Sequence, residues 1–109
     1  FQPHGFAPLR FMRDKLFDAL ERSLRNGDRF AMLPVYYAGG TAAFSPTSDE
    51  VVESWKRKTS NPDRYRVFPG RAACEEWLKS DARSGDFVLI MGARDDSLSI
   101  WAKKIANET

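Results

Sequence analysis

The feature that most constrains the fold lies near the C-terminal end, where an unbroken apolar run meets a glycine and two acids. Residues 87–91 read Phe-Val-Leu-Ile-Met, and Gly92 stands ahead of Asp95 and Asp96. A run without polar alternation predicts a strand that is buried on both faces, as in a parallel sheet covered by helices. Gly92 permits a tight turn at the strand's carboxyl end, and an acid there suits the positive end of a following helix. Because ligands bind at this edge of open α/β sheets, the segment also predicts where function lies.

The N-terminal part of the chain predicts a helix and then a strand. Two prolines and a glycine are expected to exclude a helix before Pro8, and apolar residues then recur at four-residue spacing over residues 9–26. These apolar residues are Met12, Leu16, Leu20 and Leu24. Residues 30–37 are mostly apolar and predict a strand, in which Pro34 is a local fault because it donates no backbone hydrogen bond.

The rest of the chain predicts three further helices. Residues 47–50 read Thr-Ser-Asp-Glu, which is the spacing of a capping box. Residues 65–68 predict a short strand, and Gly70 precedes a third helix. Three apolar residues mark the inward face of the last helix: Leu98, Trp101 and Ile105. The resulting alternation of helix and strand predicts an α/β sandwich with a mainly parallel sheet.

Composition favours one compact domain in a reducing compartment. A chain of 109 residues forms one core, and its net charge of +2 is too small to indicate nucleic acid or an anionic membrane as a partner. No apolar stretch approaches the roughly 18 residues that cross a bilayer. Cys74 and His4 are the only residues of their types, which excludes an internal disulfide and a zinc-type ligand cluster. We therefore expect a cytoplasmic protein, and we expect the chain to be a piece of a longer one because residues 1–4 resemble the end of a strand.

Two arginines near the start of the first predicted helix form a candidate anion site. Cations oppose the helix dipole there by roughly 0.3–1 kcal/mol each, whereas a carboxylate or phosphate is favoured. Arg10 and Arg13 lie close in sequence to His4, and arginine forks bind such anions well. The alternative is a solvated helix face on which Asp14 and Asp18 are the partners of the two arginines.

Glycines supply the remaining candidates. Gly39 and Gly40 would let the backbone approach a ligand closely, or would form a plain flexible connection. They do not form a phosphate-cradling loop, because no Gly-Lys-Ser/Thr occurs anywhere in the chain.

Three motifs in register resemble the C-terminal domain of the Mur ligases. They are Phe-Gln-Pro-His at residues 1–4 before an arginine-bearing helix, Val-Tyr-Tyr-Ala-Gly-Gly at residues 35–40, and Leu-Ile-Met-Gly-Ala-Arg-Asp at residues 89–95. The resemblance covers essentially the whole chain. It implies that residues 1–109 are a Rossmann-like three-layer domain, the third domain of a cytoplasmic enzyme of peptidoglycan precursor synthesis.

The resemblance also implies a division of labour. The first domain of these ligases binds the UDP-muramyl substrate, and the central one holds ATP with Mg²⁺ and converts a carboxylate into an acyl phosphate. The C-terminal domain closes over the others and helps bind the nucleotide and the incoming amino acid, whose amino group attacks. Positioning and charge complementarity are what such a closing domain supplies. The isolated domain is therefore expected to be inactive.

Residue by residue, the resemblance carries over only in part. In the alanine-adding ligases the histidine of the first motif, with arginines one and four residues later, helps form the amino-acid site. His4 matches, but Gly5 and Pro8 stand at the arginine positions, and Arg94 replaces a usual glycine. Gly40 replaces a usual acid. These departures leave open another acceptor, such as a peptide, as in the murein-peptide recycling ligases.

The substrate-binding candidates are thus His4, Arg10, Arg13, Gly39, Gly40, Gly92 and Asp95, with no catalytic residue and no metal ligand. A competing hypothesis is a non-catalytic flavodoxin-like or receiver-like binding module, which shows the same alternation. A receiver carries acids at the end of its first strand and a lysine near its last, whereas His4 and Arg94 stand there. A flavin module calls for a hydroxyl- and glycine-rich first loop, which residues 4–8 are not.

Overall fold

A computed structural model describes residues 1–36, 44–92 and 96–108 of the chain. The elements are α1 (Phe6–Ser23), β1 (Phe30–Met32), α2 (Ser48–Lys58), a 3-10 turn (Pro62–Arg64), β2 (Tyr65–Val67), α3 (Arg71–Asp81) and α4 (Ser97–Glu108). Helices and strands alternate from α1 to α3, as the sequence predicts, whereas the predicted third strand is not formed between α3 and residue 92. The α/β class is therefore confirmed.

The sheet is built on the leading segment, residues 1–4. On one side this segment runs parallel to the chain that begins with β1: the Leu33 N–H donates to the Phe1 carbonyl at 2.8 Å, and the Tyr36 N–H donates to the Pro3 carbonyl at 2.8 Å. On the other side the Gln2 N–H donates to the carbonyl of Met91 at 3.0 Å. The leading segment therefore lies between β1 and the edge segment, residues 87–92.

All four pieces run parallel, because β2 also pairs in parallel with the outer side of β1, with Phe30 opposite Tyr65. The spatial order is β2, β1, leading segment and edge segment. The chain moves outward in one direction through β1 and β2, and then crosses back to add the edge segment on the opposite side. This reversal makes a topological switch point beside the leading segment, which is where open α/β sheets bind ligands.

Two apolar clusters cover the two faces of this sheet and make three layers. One cluster joins α1 and α2 to the strands through Leu9, Phe30, Met32, Val51, Val52, Trp55 and Tyr65. The other joins α3 and α4 to the sheet through Leu33, Cys74, Leu98, Trp101 and Ile105. The layering is that of a Rossmann-like α/β fold.

Helix α2 starts as predicted. Thr47 is its N-cap, and its hydroxyl oxygen accepts from the Glu50 N–H at 3.2 Å while the hydroxyl donates to the Glu50 carboxylate at 3.3 Å. The start of α2 at the Thr47 N-cap is therefore confirmed, and it places Val51 and Val52 on the core side one turn later. The reciprocal bond of a capping box, from the Thr47 N–H to the Glu50 carboxylate, is not among the hydrogen bonds of the described residues.

Helix α1 departs from the prediction at both ends. It begins at Phe6, ahead of Pro8, because a proline in the first helical turn gives up only a donor that has no partner inside the helix. It ends at Ser23, three residues before Asn26. The buried face is also rotated from the predicted one: Leu9 is fully buried, whereas Met12 is 36% exposed.

The edge segment contradicts the prediction of a strand buried on both faces. Phe87 is fully exposed and Leu89 is 76% exposed, while Val88 and Met91 are 47% and 41% exposed. Among the described residues, only its end is paired, through the bridge between Gln2 and Gly92. An apolar sequence makes burial favourable, but burial needs packing partners, and the described residues leave the side chains of residues 87–89 largely in water.

The exposure of the edge segment can be tested by replacing an exposed and a buried valine, each with aspartate, and comparing the losses of stability. Val88→Asp should lower the melting temperature of this chain by only a few degrees, because the carboxylate stays in water. Val52→Asp should abolish cooperative unfolding, because Val52 is fully buried and the new charge would have no partner. Thermal unfolding followed by circular dichroism compares the two. Equal losses of stability would show that residues 87–91 are buried after all.

Candidate functional site

The switch point brings two sequence-predicted residues to the carboxyl edge of the sheet. His4 ends the leading segment, and Gly92 ends the edge segment beside Gln2. A side chain at position 92 would place its Cβ 2.8 Å from the Gln2 carbonyl oxygen and 2.8 Å from a methyl carbon of Leu98. The close approach of the two segments therefore requires glycine at this position.

His4 lies against an aromatic side chain from the neighbouring strand. Its ring stacks on that of Tyr36, with centroids 5.6 Å apart and planes inclined by 22°. The backbones of the two residues form a parallel bridge in which the Gly5 N–H donates to the Tyr36 carbonyl at 3.0 Å. The Nδ1 atom of His4 is buried and has no hydrogen-bond partner among the described residues. Because the residue as a whole is only half-buried, Nε2 is the ring nitrogen that a ligand can reach.

Sequence reasoning missed Arg71, which ties three elements together next to Gly92. Its guanidinium donates to the side-chain oxygen of Gln2 at 2.9 Å and to the hydroxyl of Ser97 at 2.8 Å. The same group lies 5.4 Å from the centroid of the Trp101 ring. It therefore fixes α3 to the leading segment and to the start of α4. The sequence signal that could have indicated Arg71 is its place directly after Gly70, as the first residue of α3.

Arg10 and Arg13 lie on the face of the sheet that α1 and α2 cover. The Arg13 guanidinium donates to the hydroxyl of Ser54 on α2 at 2.7 Å. That of Arg10 is exposed and makes a long contact of 3.5 Å with the Ser45 carbonyl. No hydrogen bond described for residues 1–36, 44–92 and 96–108 joins either arginine to His4.

The surroundings of Arg13 are mixed in charge. It lines an open groove between α1 and α2 together with Asp49, Glu50, Glu53 and Arg57. Three carboxylates in that groove would repel an anionic ligand. Two other predicted contacts, the Gly39-Gly40 loop and Asp95, fall outside the described residues.

Several other groups in the described part are not sites. Cys74 is buried, and burial raises the pKa of its thiol, so it is not an activated nucleophile. The same residues contain no group of three His, Cys, Asp or Glu side chains placed to hold a metal ion. None of the helices within the described ranges is long and apolar enough to cross a membrane.

A polar cluster lies at the opposite, amino-terminal edge of the sheet. The Glu21 carboxylate, near the end of α1, accepts from Arg64 at 2.9 Å, from the Tyr65 hydroxyl at 2.6 Å and from the Thr59 hydroxyl at 2.8 Å. Burial alone would raise the pKa of Glu21, but these hydrogen bonds and the Arg64 charge outweigh it and lower the pKa. Burial and the neighbouring carboxylate raise the pKa of Tyr65. Because every strong acceptor is used internally, the cluster is a structural tie between α1, α2 and β2.

The fold and the switch point define the class: a Rossmann-like α/β domain whose candidate site lies at the carboxyl ends of the leading and edge segments. No protein-family model matches the chain. Curated relatives do match it. It is 29% identical over 107 residues to the UDP-N-acetylmuramate–L-alanine ligase of Chelativorans sp. (strain BNC1), covering 98% of this chain and 21% of that protein.

Two further relatives carry the same name. The enzyme of Rhizobium meliloti (strain 1021) is 28% identical over 98% of this chain, and that of Desulfosudis oleivorans is 33% identical over 87% of it. The chain spans about a fifth of the length of these relatives. Its resemblance to the Mur ligases is thereby confirmed: it is related to UDP-N-acetylmuramate–L-alanine ligases over almost its whole length.

The Glu21 cluster predicts a pH-dependent contribution to stability. The folded-state pKa of Glu21 lies below its ordinary value of 4.5, so the stabilisation is fully present above pH 4.5 and is lost as the pH falls through the folded-state pKa. Glu21→Gln should therefore cost about 1–2 kcal/mol of unfolding free energy near pH 7, and less at pH 3. Urea unfolding at both pH values measures this cost. The exposed Glu76→Gln is the matched control, and an equal cost of Glu21→Gln at both pH values would refute the linkage.

Proposed function

We propose that residues 1–109 are the C-terminal domain of a three-domain, ATP-dependent ligase of peptidoglycan precursor synthesis. In this role the domain helps bind the incoming amino acid and closes over the nucleotide, while the UDP-muramyl substrate is bound elsewhere in the same cytoplasmic enzyme. The observation that carries the proposal is the similarity to UDP-N-acetylmuramate–L-alanine ligases along 98% of this chain within about a fifth of theirs. The flavodoxin-like and receiver-like modules have no comparable support.

The exposed edge segment supports the view that the domain is part of a larger polypeptide. Gln2 pairs with Gly92 in parallel, so residues joined to the amino group of Phe1 would run alongside residues 87–90. A strand in that position would pair the free backbone of the edge segment. It would also cover side chains such as Phe87 and Leu89 that are now in water.

The acceptor site we propose is centred on the carboxyl edge. His4 supplies a ring nitrogen, and the other contacts we propose, on the sequence motifs alone, are the backbone of Gly39, Gly40 and Gly92 and the carboxylate of Asp95. These groups suit the ammonium and carboxylate of an amino acid. The names of the relatives favour L-alanine, and a peptide acceptor remains the alternative, since Gly5 and Pro8 stand where the alanine-adding ligases have arginines.

ATP and Mg²⁺ are proposed as cofactors of the whole enzyme. The residues of this chain do not fit a complete site for them. The sequence has no Gly-Lys-Ser/Thr to cradle the phosphates, and its described residues have no cluster of metal ligands. We therefore assign the nucleotide and the metal to the remaining domains.

Calorimetry with ATP and Mg²⁺ tests that assignment on the isolated chain. We expect no ATP hydrolysis and a dissociation constant weaker than about 1 mM, because no lysine clamps the β- and γ-phosphates. The full-length enzyme should bind ATP in the same buffer. Micromolar affinity of the isolated chain would contradict the division of labour between domains.

Kinetics of the full-length enzyme distinguish the roles of Arg10 and Arg13. We propose Arg10 as the acceptor contact, because its guanidinium is exposed and its hydrogen bond to the Ser45 carbonyl is long, at 3.5 Å. Arg10→Ala should then raise KM for the amino acid about tenfold or more, the equivalent of a charge-assisted bond of about 1.5–3 kcal/mol. Arg13→Ala should mainly lower stability, because Arg13 ties α1 to Ser54. Unchanged acceptor kinetics in Arg10→Ala would remove Arg10 from the site.

A test of the function itself is ligation by the full-length enzyme. Its ATP-dependent joining of L-alanine, of other amino acids and of a short peptide to UDP-N-acetylmuramate should be compared. Preference for L-alanine supports the first acceptor, and preference for a peptide supports the alternative. If no acceptor is joined, the proposed function is wrong.

A further inference from the structure

The register of the sheet changes between the two ends of the leading segment. The Phe1 amino group donates a hydrogen bond to the Ala31 carbonyl at 2.7 Å, and the Phe1 carbonyl accepts one from the Leu33 N–H. Phe1 therefore lies opposite Met32. Three residues later, His4 pairs with Tyr36, which is four residues after Met32. The neighbouring strand therefore holds one extra residue, which is a β-bulge.

The extra residue coincides with Pro34. A proline inside a strand donates no ladder hydrogen bond, so Pro34 itself has no donor to lose where the ladder is interrupted. Without the bulge, His4 would lie opposite Val35. The bulge thus sets an aromatic ring, and not a valine, beside the imidazole, and re-aiming a side chain is a known use of such bulges near sites.

The stack constrains how the imidazole is presented. One ring face lies against Tyr36, and Nδ1 points into a buried position without a partner among the described residues. The nitrogen that remains available to a ligand at the carboxyl edge is Nε2. A ring free to rotate about its χ angles would spread that nitrogen over several directions, and a fixed ring loses no such freedom when a ligand binds.

We propose that Tyr36 is a positioning residue: its ring and the Pro34 bulge fix the His4 imidazole so that Nε2 faces the acceptor's carboxylate. The part that concerns the acceptor rests on the proposed function, whereas the fixed stack is a property of this chain alone. Tyr36 acts through its ring and not through its hydroxyl, since it is the ring that contacts His4.

The chain offers a clean spectroscopic test because His4 is its only histidine. Its two imidazole C–H protons therefore give one isolated pair of proton NMR signals. In the parent chain the tyrosine ring current should displace these signals from their values in the unfolded chain, and they should show cross-relaxation to the Tyr36 ring. Tyr36→Phe should keep the displacement and Tyr36→Leu should remove it. Phe44→Leu, which removes a ring that packs on Phe6, is the matched control and should leave the His4 signals in place.

The full-length enzyme tests the consequence for binding. Tyr36→Leu should raise KM for the amino acid about two- to twelve-fold, the range that corresponds to an aromatic pair, with little change in kcat. Tyr36→Phe should keep the parent KM. The proposal is overturned if Tyr36→Leu leaves the His4 signals displaced. It is also overturned if Tyr36→Leu leaves KM unchanged while His4→Ala raises it.

His4→Ala separates this proposal from the proposed function. If His4→Ala leaves acceptor kinetics at the parent value, His4 is not an acceptor contact, and that part of the proposed function fails together with the positioning role. The NMR comparison still decides, independently of any ligase activity, whether Tyr36 holds the ring. Thermal unfolding of each variant confirms that it is folded before its KM is interpreted.

Discussion

The pairing of the leading segment on both sides is the constraint on which the rest of the structure depends. Residues 1–4 bond to the strand that contains β1 on one side and to the end of the edge segment on the other. Without that central piece, β1 and the edge segment would share no neighbour, and the two apolar clusters would have no common sheet to cover. The same pairing sets His4 and Gly92 at one edge, because parallel strands end together.

Two kinds of polar tie hold the helices to this sheet, and they sit at opposite edges. At the amino edge the Glu21 carboxylate accepts hydrogen bonds from Thr59, Arg64 and Tyr65, which lie at the end of α2, in the 3-10 turn and in β2. Both of its oxygens are therefore used within the protein. Arg71 bridges Gln2 and Ser97 near the carboxyl edge. At the carboxyl edge the half-buried imidazole of His4 lies beside the point where the strand order reverses. That reversal is the physical reason for placing the site at the carboxyl edge.

The relation to the UDP-N-acetylmuramate–L-alanine ligases gives this edge a chemical meaning. In the function proposed here, the domain would contribute to catalysis by closing over the substrates and orienting one of them. The groups at the carboxyl edge are the imidazole of His4, the closely approached Gly92 and Arg71, which steadies the adjoining helix, and they suit that orienting role. Arg10 and Arg13 lie on the face covered by α1 and α2, where Arg13 is engaged by Ser54 and Arg10 is exposed.

The sequence by itself determined what depends on neighbouring residues: the N-cap at Thr47, the helix after Gly70 and the inward face of α4 at Leu98, Trp101 and Ile105. It also placed His4 and Gly92 at strand ends through local motifs. Only the tertiary structure decided what depends on partners far along the chain. Residues 87–89 are apolar but exposed, because burial needs packing partners from distant parts of the chain. Tyr36 lies opposite His4 because one extra residue shifts the register between the two segments. The hydrophobic pattern of a single strand does not predict such a shift, because the shift depends on how two strands pair.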